Sequence, residues 1–125
     1  MTAVATTRSL ATGLLALLAA SAAAHHSHGN YDVNNYIELQ GRVSELLWLN
    51  PHTWIYLEVR DENGQSVVWA LEGPSPTELI NDGWARDDVE IGDTINVRCH
   101  QLKDGSNGCL LGFLTPEGGV EKEWD

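Results

Sequence analysis

Basic side chains are scarce in this sequence. Its 125 residues include 18 Asp and Glu but only 7 Lys and Arg, which gives a formal net charge of −11. Such an acidic chain is expected to repel the phosphates of nucleic acids and the headgroups of anionic membranes. The composition therefore predicts a partner that is neither a nucleic acid nor a membrane surface.

The sequence also lacks an apolar run long enough to cross a membrane. Its longest apolar stretch, residues 10–20, has eleven residues, whereas a membrane-spanning helix needs about 20. Arg8 precedes this stretch and the small residues 21–24 follow it. This order is typical of a secretory signal peptide. We therefore expect a signal peptide at residues 1–24 and a mature protein that is periplasmic or secreted, with no membrane attachment after cleavage.

Catalytic sequence patterns are missing as well. No serine lies in a Gly-x-Ser-x-Gly nucleophile elbow, and the acidic residues at 87–93 do not have the spacing of an EF-hand calcium loop. We therefore predict no catalytic residues and a protein that is not an enzyme.

The length and the apolar content favour one folded domain. An apolar fraction of 42% excludes a disordered chain, and 125 residues with no internal repeat fit a single core. We predict a His-rich amino-terminal segment at 25–36, a β-domain at 37–115 and a polar tail at 116–125. The tail is expected to be loose, with docking of Trp124 as the alternative.

Short stretches of alternating apolar and polar residues predict a mainly β fold. One short helix interrupts the strands: Ser75 and Glu78 form a capping box, Leu79 and Ile80 are the expected buried contacts, and Gly83 ends the helix. Three strands, a helix and two strands follow the order of a small five-stranded OB-like barrel. An open antiparallel sandwich is the alternative. The expected strands cover residues 37–49, 52–60, 65–72, 94–102 and 109–114.

A hairpin in this pattern creates a candidate ligand-binding face. Asn63-Gly64 is a strong signal for a two-residue turn. In that register Trp69 lies on the same face as Trp54 and Tyr56. Aromatic faces bind sugars, cations or peptides, so these three residues are candidates for binding a small ligand or a periplasmic protein partner. The alternative is that the rings pack beneath the helix or the amino-terminal segment.

The two cysteines are placed to link two strands. Cys99 and Cys109 lie five residues on either side of Asp104, so a hairpin centred there brings them onto one face. In an exported protein this arrangement predicts a cross-strand disulfide. Two reduced, buried thiols are the alternative.

Histidines give the sharpest chemical signal. Cleavage after Ala24 would expose a free amine on His25, and His26 and His28 follow within three residues. The amine, the imidazole of the same residue and another imidazole form a nitrogen-rich set that suits Cu(II) or Ni(II). Zinc is disfavoured because no cysteine pair is suitably placed for a tetrahedral site. The alternative is that these histidines form a solvated tail that binds no metal.

His52 is the candidate for the additional imidazole. It follows the Asn50-Pro51 turn and begins a predicted strand, where a rigid element would hold it. Residues 29–36 can span at most about 26 Å, so the amino-terminal histidines can reach that end of the barrel. The expected metal ligands are therefore His25, His26, His28 and His52, with copper as the cofactor.

Several motifs resemble a family of small exported bacterial proteins that is catalogued as a domain of unknown function. They are Ala-His-His-Ser (24–27), Asn-Pro-His-x-Trp (50–54), Gly-Trp-Ala-Arg-Asp (83–87), Gly-Asp (92–93) and Asp-Gly-Ser (104–106). The resemblance implies a periplasmic or secreted protein and brings no activity. The amino-terminal histidine is also similar to the histidine brace of periplasmic copper carriers and copper oxygenases.

Three functional hypotheses follow from the sequence. The first is a non-enzymatic copper-binding or copper-handling protein. The second is a binding module that uses the aromatic face. The third is a small copper-dependent oxidoreductase, although the oxygenases with a histidine brace are larger than the mature chain.

Overall fold

The computed structural model describes residues 28–125, which form a six-stranded sheet and one short helix. The predicted signal peptide, His25 and His26 lie outside these described residues. Within residues 28–125 no helix is long and apolar enough to span a membrane. The elements are a 3-10 turn at His28–Asn30, β1 at Ile37–Trp48, β2 at Thr53–Arg60, β3 at Ser66–Glu72, α1 at Pro76–Asn81, β4 at Thr94–Gln101, β5 at Gly108–Thr115 and β6 at Lys122–Glu123.

The first five strands close into a barrel, so the predicted OB-like fold is confirmed. The strand order is β3-β2-β1-β4-β5-β6. Neighbours in this order pair antiparallel, and a parallel pairing of β3 with β5 closes the barrel. Closure removes most of the exposed sheet edge.

The long strand β1 pairs with a different strand along each of its two halves. Its first half pairs with β4 and its second half with β2, and the register shifts between Val43 and Glu45. Gly41 lies next to the point where the two halves meet, and a Cβ there would overlap the carbonyl oxygen of Glu58. The glycine thus permits the close crossing of β1 and β2 that bends the sheet.

Alternating side chains of the strands fill the core. Val43, Ile55, Leu57, Leu71 and Ile95 are all fully buried. Most of them alternate with exposed or half-buried neighbours, as a sheet with one face on the core requires, whereas Leu71 is followed by the buried Glu72. The β-branched and aliphatic face predicted for β2 is therefore the core face.

The predicted two-residue turn in the β2–β3 hairpin is wrong. Asp61 and Gln65 instead close a three-residue loop, in which Gly64 adopts a positive φ of 75°. The carboxylate of Asp61 accepts hydrogen bonds from the backbone N–H groups of Asn63 and Gln65, at 2.9 and 2.8 Å. The side chain of Asp61 therefore stabilises the longer loop.

This one-residue difference moves Trp69 to the other face. Leu57, not Glu58, lies opposite Trp69, and a register shift of one residue exchanges the two faces of a strand. Trp69 consequently packs in the core and is 9% exposed. The predicted single face of Trp54, Tyr56 and Trp69 does not form.

Helix α1 has the predicted start but a different buried side. Ser75 and Glu78 form the complete capping box, and Gly83 follows the helix with a φ of 90°. Leu79 is fully buried as expected. Ile80 is 51% exposed, so the prediction that it is buried is wrong. A helix of six residues turns only one side toward the barrel. Adjacent residues point in different directions around a helix, so Leu79 and Ile80 are not both on that side.

Cys99 and Cys109 form the predicted disulfide between β4 and β5, with a Cα–Cα distance of 5.6 Å. The cysteines are not directly opposite, because Cys109 pairs with Gln101 and Cys99 pairs with Leu111. They are diagonal neighbours on one face, and both are fully buried.

The carboxyl-terminal tail is docked rather than loose. It forms β6 against β5, and Trp124 is fully buried. The indole Nε1 of Trp84 donates to the carbonyl of Glu123 at 2.7 Å, and the rings of Trp84 and Trp124 meet edge to face at 4.4 Å. The alternative prediction for Trp124 is therefore the correct one.

Candidate functional site

A pocket of about 250 Å³ lies beside helix α1 and the chain that follows β3. We call it the histidine pocket, because His28 and His52 both line it. Gly73 and Pro74 form part of its wall, and three carboxylate side chains also line it: Glu78, Asp82 and Asp125.

The amino-terminal segment is held against the β4–β5 hairpin, which places His28 at the pocket. Tyr31 forms an isolated antiparallel bridge with Leu102. Lys103 donates from its backbone N–H to the carbonyl of Asn30 at 2.9 Å and from its ammonium group to the carbonyl of Gly29 at 2.8 Å. These contacts fix the segment just after His28.

His52 is fixed by contacts to the end of β3. Its Nδ1 atom lies 3.3 Å from the carbonyl oxygen of Gly73 and 3.2 Å from Oε1 of Glu72. A carbonyl oxygen can only accept a hydrogen bond. Nδ1 therefore carries the proton, and in the neutral ring Nε2 holds the free lone pair.

Glu72 and Tyr31 are functional candidates that the sequence reasoning missed. Glu72 is 6% exposed, and its Oε2 accepts a hydrogen bond of 2.6 Å from the hydroxyl of Tyr31. Burial, followed by the bond to Glu72, raises the pKa of Tyr31. Tyr31 thus stays protonated and donates. The available sequence signal was a single charged residue at the end of the apolar strand β3.

The imidazoles of His28 and His52 are neighbours in the pocket and meet edge to face. Their ring centroids are 6.4 Å apart, with an angle of 67° between the ring planes. Within residues 28–125, no group of three or more His, Cys, Asp or Glu side chains is arranged to hold a metal ion. The described residues therefore bring together two of the four predicted histidines, and His25 and His26 lie outside them.

The rim of the histidine pocket is acidic. Glu78, Asp82 and Asp125 are all exposed. Hydrogen bonds from Ser75 are the main reason that the pKa of Glu78 is lowered, and the nearby His52 lowers it further. An ionised rim of this kind favours a cation over an anion at the pocket.

Two of the three predicted aromatic residues stay on the outer face. Trp54 lies opposite Glu72, and Tyr56 lies opposite Ala70. Both rings are half-buried, whereas Trp69 lies in the core. Since Trp54 and Glu72 are cross-strand neighbours, the outer face of β2 adjoins the histidine pocket.

Comparison with protein families gives one match. A model described as a family of unknown function, DUF6152, matches residues 12–111. No curated protein matches the chain. The predicted resemblance to an uncharacterised family is confirmed at this level, while the individual motifs and bacterial export stay predictions.

Similar solved structures include two of a mitochondrial single-stranded DNA binding protein, Rim1, from S. cerevisiae. One crystal structure has a TM-score of 0.51 at 10% identity and covers 66% of this chain and 92% of that chain. The structure of the selenomethionine-labelled protein has a TM-score of 0.49 at 13% identity, with the same coverage of 66% and 92%. The first likeness shows the barrel fold.

The prediction that excluded a nucleic-acid partner is contradicted by this likeness. The exclusion rested on the net charge of the whole chain. A protein titled as a single-stranded DNA binding protein nevertheless has a similar fold. Net charge averages over the entire surface, whereas a barrel binds ligands on a local face. The charge therefore does not exclude this class of partner.

Proposed function

We propose that this chain, which belongs to DUF6152, a family of unknown function, is an exported, non-enzymatic protein that binds and carries copper. The proposed copper site is the histidine pocket. His52 and His28 supply imidazole ligands, and His25 and His26 complete the set. The observation that carries the proposal is the close pairing of His28 with His52.

The spacing of the two rings suits a shared metal ion. Imidazole nitrogens bind such ions at about 2.0–2.1 Å, which holds the centroids of two rings on one ion about 4.5–6.5 Å apart. The 6.4 Å between the ring centroids of His28 and His52 lies at the upper end of that range, which corresponds to two nitrogens on opposite sides of the ion. Nε2 of His52 has the free lone pair that a ligand needs, since Nδ1 donates to the carbonyl of Gly73 and faces the carboxylate of Glu72.

The remaining ligands are within reach by chain length alone. His25 lies three positions before His28, and three extended residues span at most about 10 Å. Removal of the proposed signal peptide would add a free amine at His25. An amine with several imidazoles is a nitrogen-only set, which favours Cu(II) over the harder divalent ions. The acidic rim of the pocket attracts the cation.

A substitution of His52 tests this proposal. We expect the secreted wild-type protein to bind one Cu(II) per chain, and His52→Gln to bind it at least about tenfold more weakly because one imidazole ligand is lost. Quenching of tryptophan fluorescence during a copper titration reports binding, because Trp54 is a cross-strand neighbour of Glu72. Intact mass spectrometry gives the stoichiometry and the processed terminus.

Arg60→Gln is the matched control for this experiment. Arg60 lies at the far end of β2, where it donates to the carbonyl of Gly64, so its loss should leave copper affinity unchanged. Equal affinity of His52→Gln and the wild type would remove His52 from the site. Tighter binding of Zn(II) than of Cu(II) would contradict the choice of copper.

A second candidate is binding of a ligand on the outer face of β2. The observation that favours it is the pair of half-buried rings, Trp54 and Tyr56. Barrels of this type bind oligonucleotides and oligosaccharides on the face of strands 2 and 3, and bases stack on such rings. The same fluorescence titration with a single-stranded oligonucleotide distinguishes the two candidates.

A further inference from the structure

Beneath the histidine pocket, two residues hold the ring of His52. We infer that Glu72, supported by Tyr31, is the positioning residue of the pocket: it keeps the Nδ1–H of His52 directed inward and thereby presents Nε2 to a metal ion. This inference rests on the proposed copper-binding function. Glu72 itself is not proposed as a ligand, because it is buried and does not line the pocket; its Oε2 accepts a hydrogen bond from Tyr31, and its Oε1 lies 3.2 Å from Nδ1 of His52.

The contacts of His52 define one orientation of its ring. Nδ1 donates to the carbonyl of Gly73 at 3.3 Å and lies 3.2 Å from Oε1 of Glu72, within ion-pair distance. A ring flip would replace Nδ1 with a carbon atom and lose both the hydrogen bond to Gly73 and the contact with Glu72. The acceptors therefore select both the ring orientation and the tautomer.

Glu72 is held in turn by the amino-terminal segment. Tyr31 is 5% exposed, and its hydroxyl donates to Oε2 of Glu72 at 2.6 Å. The same segment carries His28, three residues earlier. One stretch of chain thus supplies a proposed ligand and also the group that orients the positioning carboxylate.

This arrangement has a defined chemical effect. Histidine ligands commonly donate their second N–H to a carboxylate or a carbonyl, which fixes the tautomer and makes the binding nitrogen more basic. Loss of such a partner typically lowers metal affinity about 10- to 100-fold. Two partners on one nitrogen, one of them a buried carboxylate, match that pattern at His52.

Two substitutions test the inference by copper affinity. We expect Glu72→Gln, which keeps the shape but removes the charge, to bind Cu(II) about 10- to 100-fold more weakly. Tyr31→Phe should give a smaller loss, because Glu72 remains but is no longer held. Glu62→Gln is the matched control: it makes the same change at an exposed carboxylate in the β2–β3 loop, outside the histidine pocket, and should change affinity about twofold or less.

Nitrogen-15 NMR of the metal-free protein gives a second, independent readout. We expect Nδ1–H to be the dominant tautomer of His52 in the wild type, and Nε2–H to gain population in Glu72→Gln. Thermal unfolding confirms that each variant is folded. If Glu72→Gln does not fold, Tyr31→Phe decides the question by the same two measurements.

The outcomes separate this inference from the proposed function. If Glu72→Gln has the same tautomer population and copper affinity as the control Glu62→Gln, the positioning role is overturned. If the wild type binds no copper, or if His52→Gln binds it equally well, the proposed function fails. The metal-free NMR measurement then still decides whether Glu72 fixes the ring of His52.

Discussion

Tyr31 shows how one side chain can make stability depend on pH. Its hydroxyl is buried and donates to Glu72, and both features raise the pKa of Tyr31. In the unfolded chain a tyrosine ionises near pH 10. Above that pH the unfolded state releases a proton that the folded state retains, so the free energy of unfolding falls as pH rises.

Substitution of Tyr31 should remove this loss at high pH. Between about pH 10 and 11 we expect the wild type to lose about 1 kcal/mol from this group, since one proton per pH unit corresponds to at most about 1.4 kcal/mol. Tyr31→Phe should show a correspondingly smaller decline in urea unfolding. Tyr36→Phe is the control, because Tyr36 is 47% exposed. Parallel pH profiles of Tyr31→Phe and wild type would refute the assignment.

Residues whose role depends on neighbours in the sequence could be predicted from the sequence. Residues whose role depends on contacts with distant parts of the chain could not. His52 was a candidate because it follows a proline turn and begins a strand. Glu72 was not, because its burial and its hydrogen bond come from Tyr31, 41 positions away in the chain. A hydrogen bond over that separation exists only once the barrel has closed.

The β2–β3 hairpin shows the same limit for a secondary-structure element. Asn63-Gly64 correctly predicted a turn, and the Ser75–Glu78 capping box was correctly predicted for α1. The length of the hairpin loop was wrong by one residue, because two hydrogen bonds to the carboxylate of Asp61 stabilise the three-residue loop. The length of this loop decides which face of β3 Trp69 occupies. The error of one residue in the predicted loop therefore placed Trp69 in the predicted aromatic binding face.

Asp61 should therefore be important for the stability of the hairpin. We expect Asp61→Ala to lower the free energy of unfolding by about 1–2 kcal/mol, because it removes the acceptor for the N–H groups of Asn63 and Gln65. Asp61→Asn keeps an oxygen acceptor and should lose less than half of that amount. Urea denaturation measures both. Equal losses in the two variants would indicate that charge, rather than hydrogen bonding, stabilises the loop.

At the scale of the whole molecule, element order was enough to predict the barrel. Three strands, a helix and two strands leave few ways to close a small antiparallel sheet, and the β3–β5 pairing confirms the expected closure. The docked tail was predicted only as an alternative, because residues 116–125 are mostly polar and only Trp124 indicates docking. Its burial depends on Trp48 and Trp84, from two distant parts of the chain.

The tail should connect barrel stability with the histidine pocket. Trp124 is fully buried and contacts the ring of Trp84, so Trp124→Ala should cost about 3–5 kcal/mol in urea unfolding. A Cβ on Gly73 would overlap Trp124, and the Gly73 carbonyl accepts from His52. We therefore expect weaker copper binding in the same variant. Val120→Ala is the control: Val120 is a tail residue that is 76% exposed, so its substitution should change neither the free energy of unfolding nor the copper affinity. If Trp124→Ala is destabilised but binds copper as tightly as the wild type, the pocket is independent of the tail.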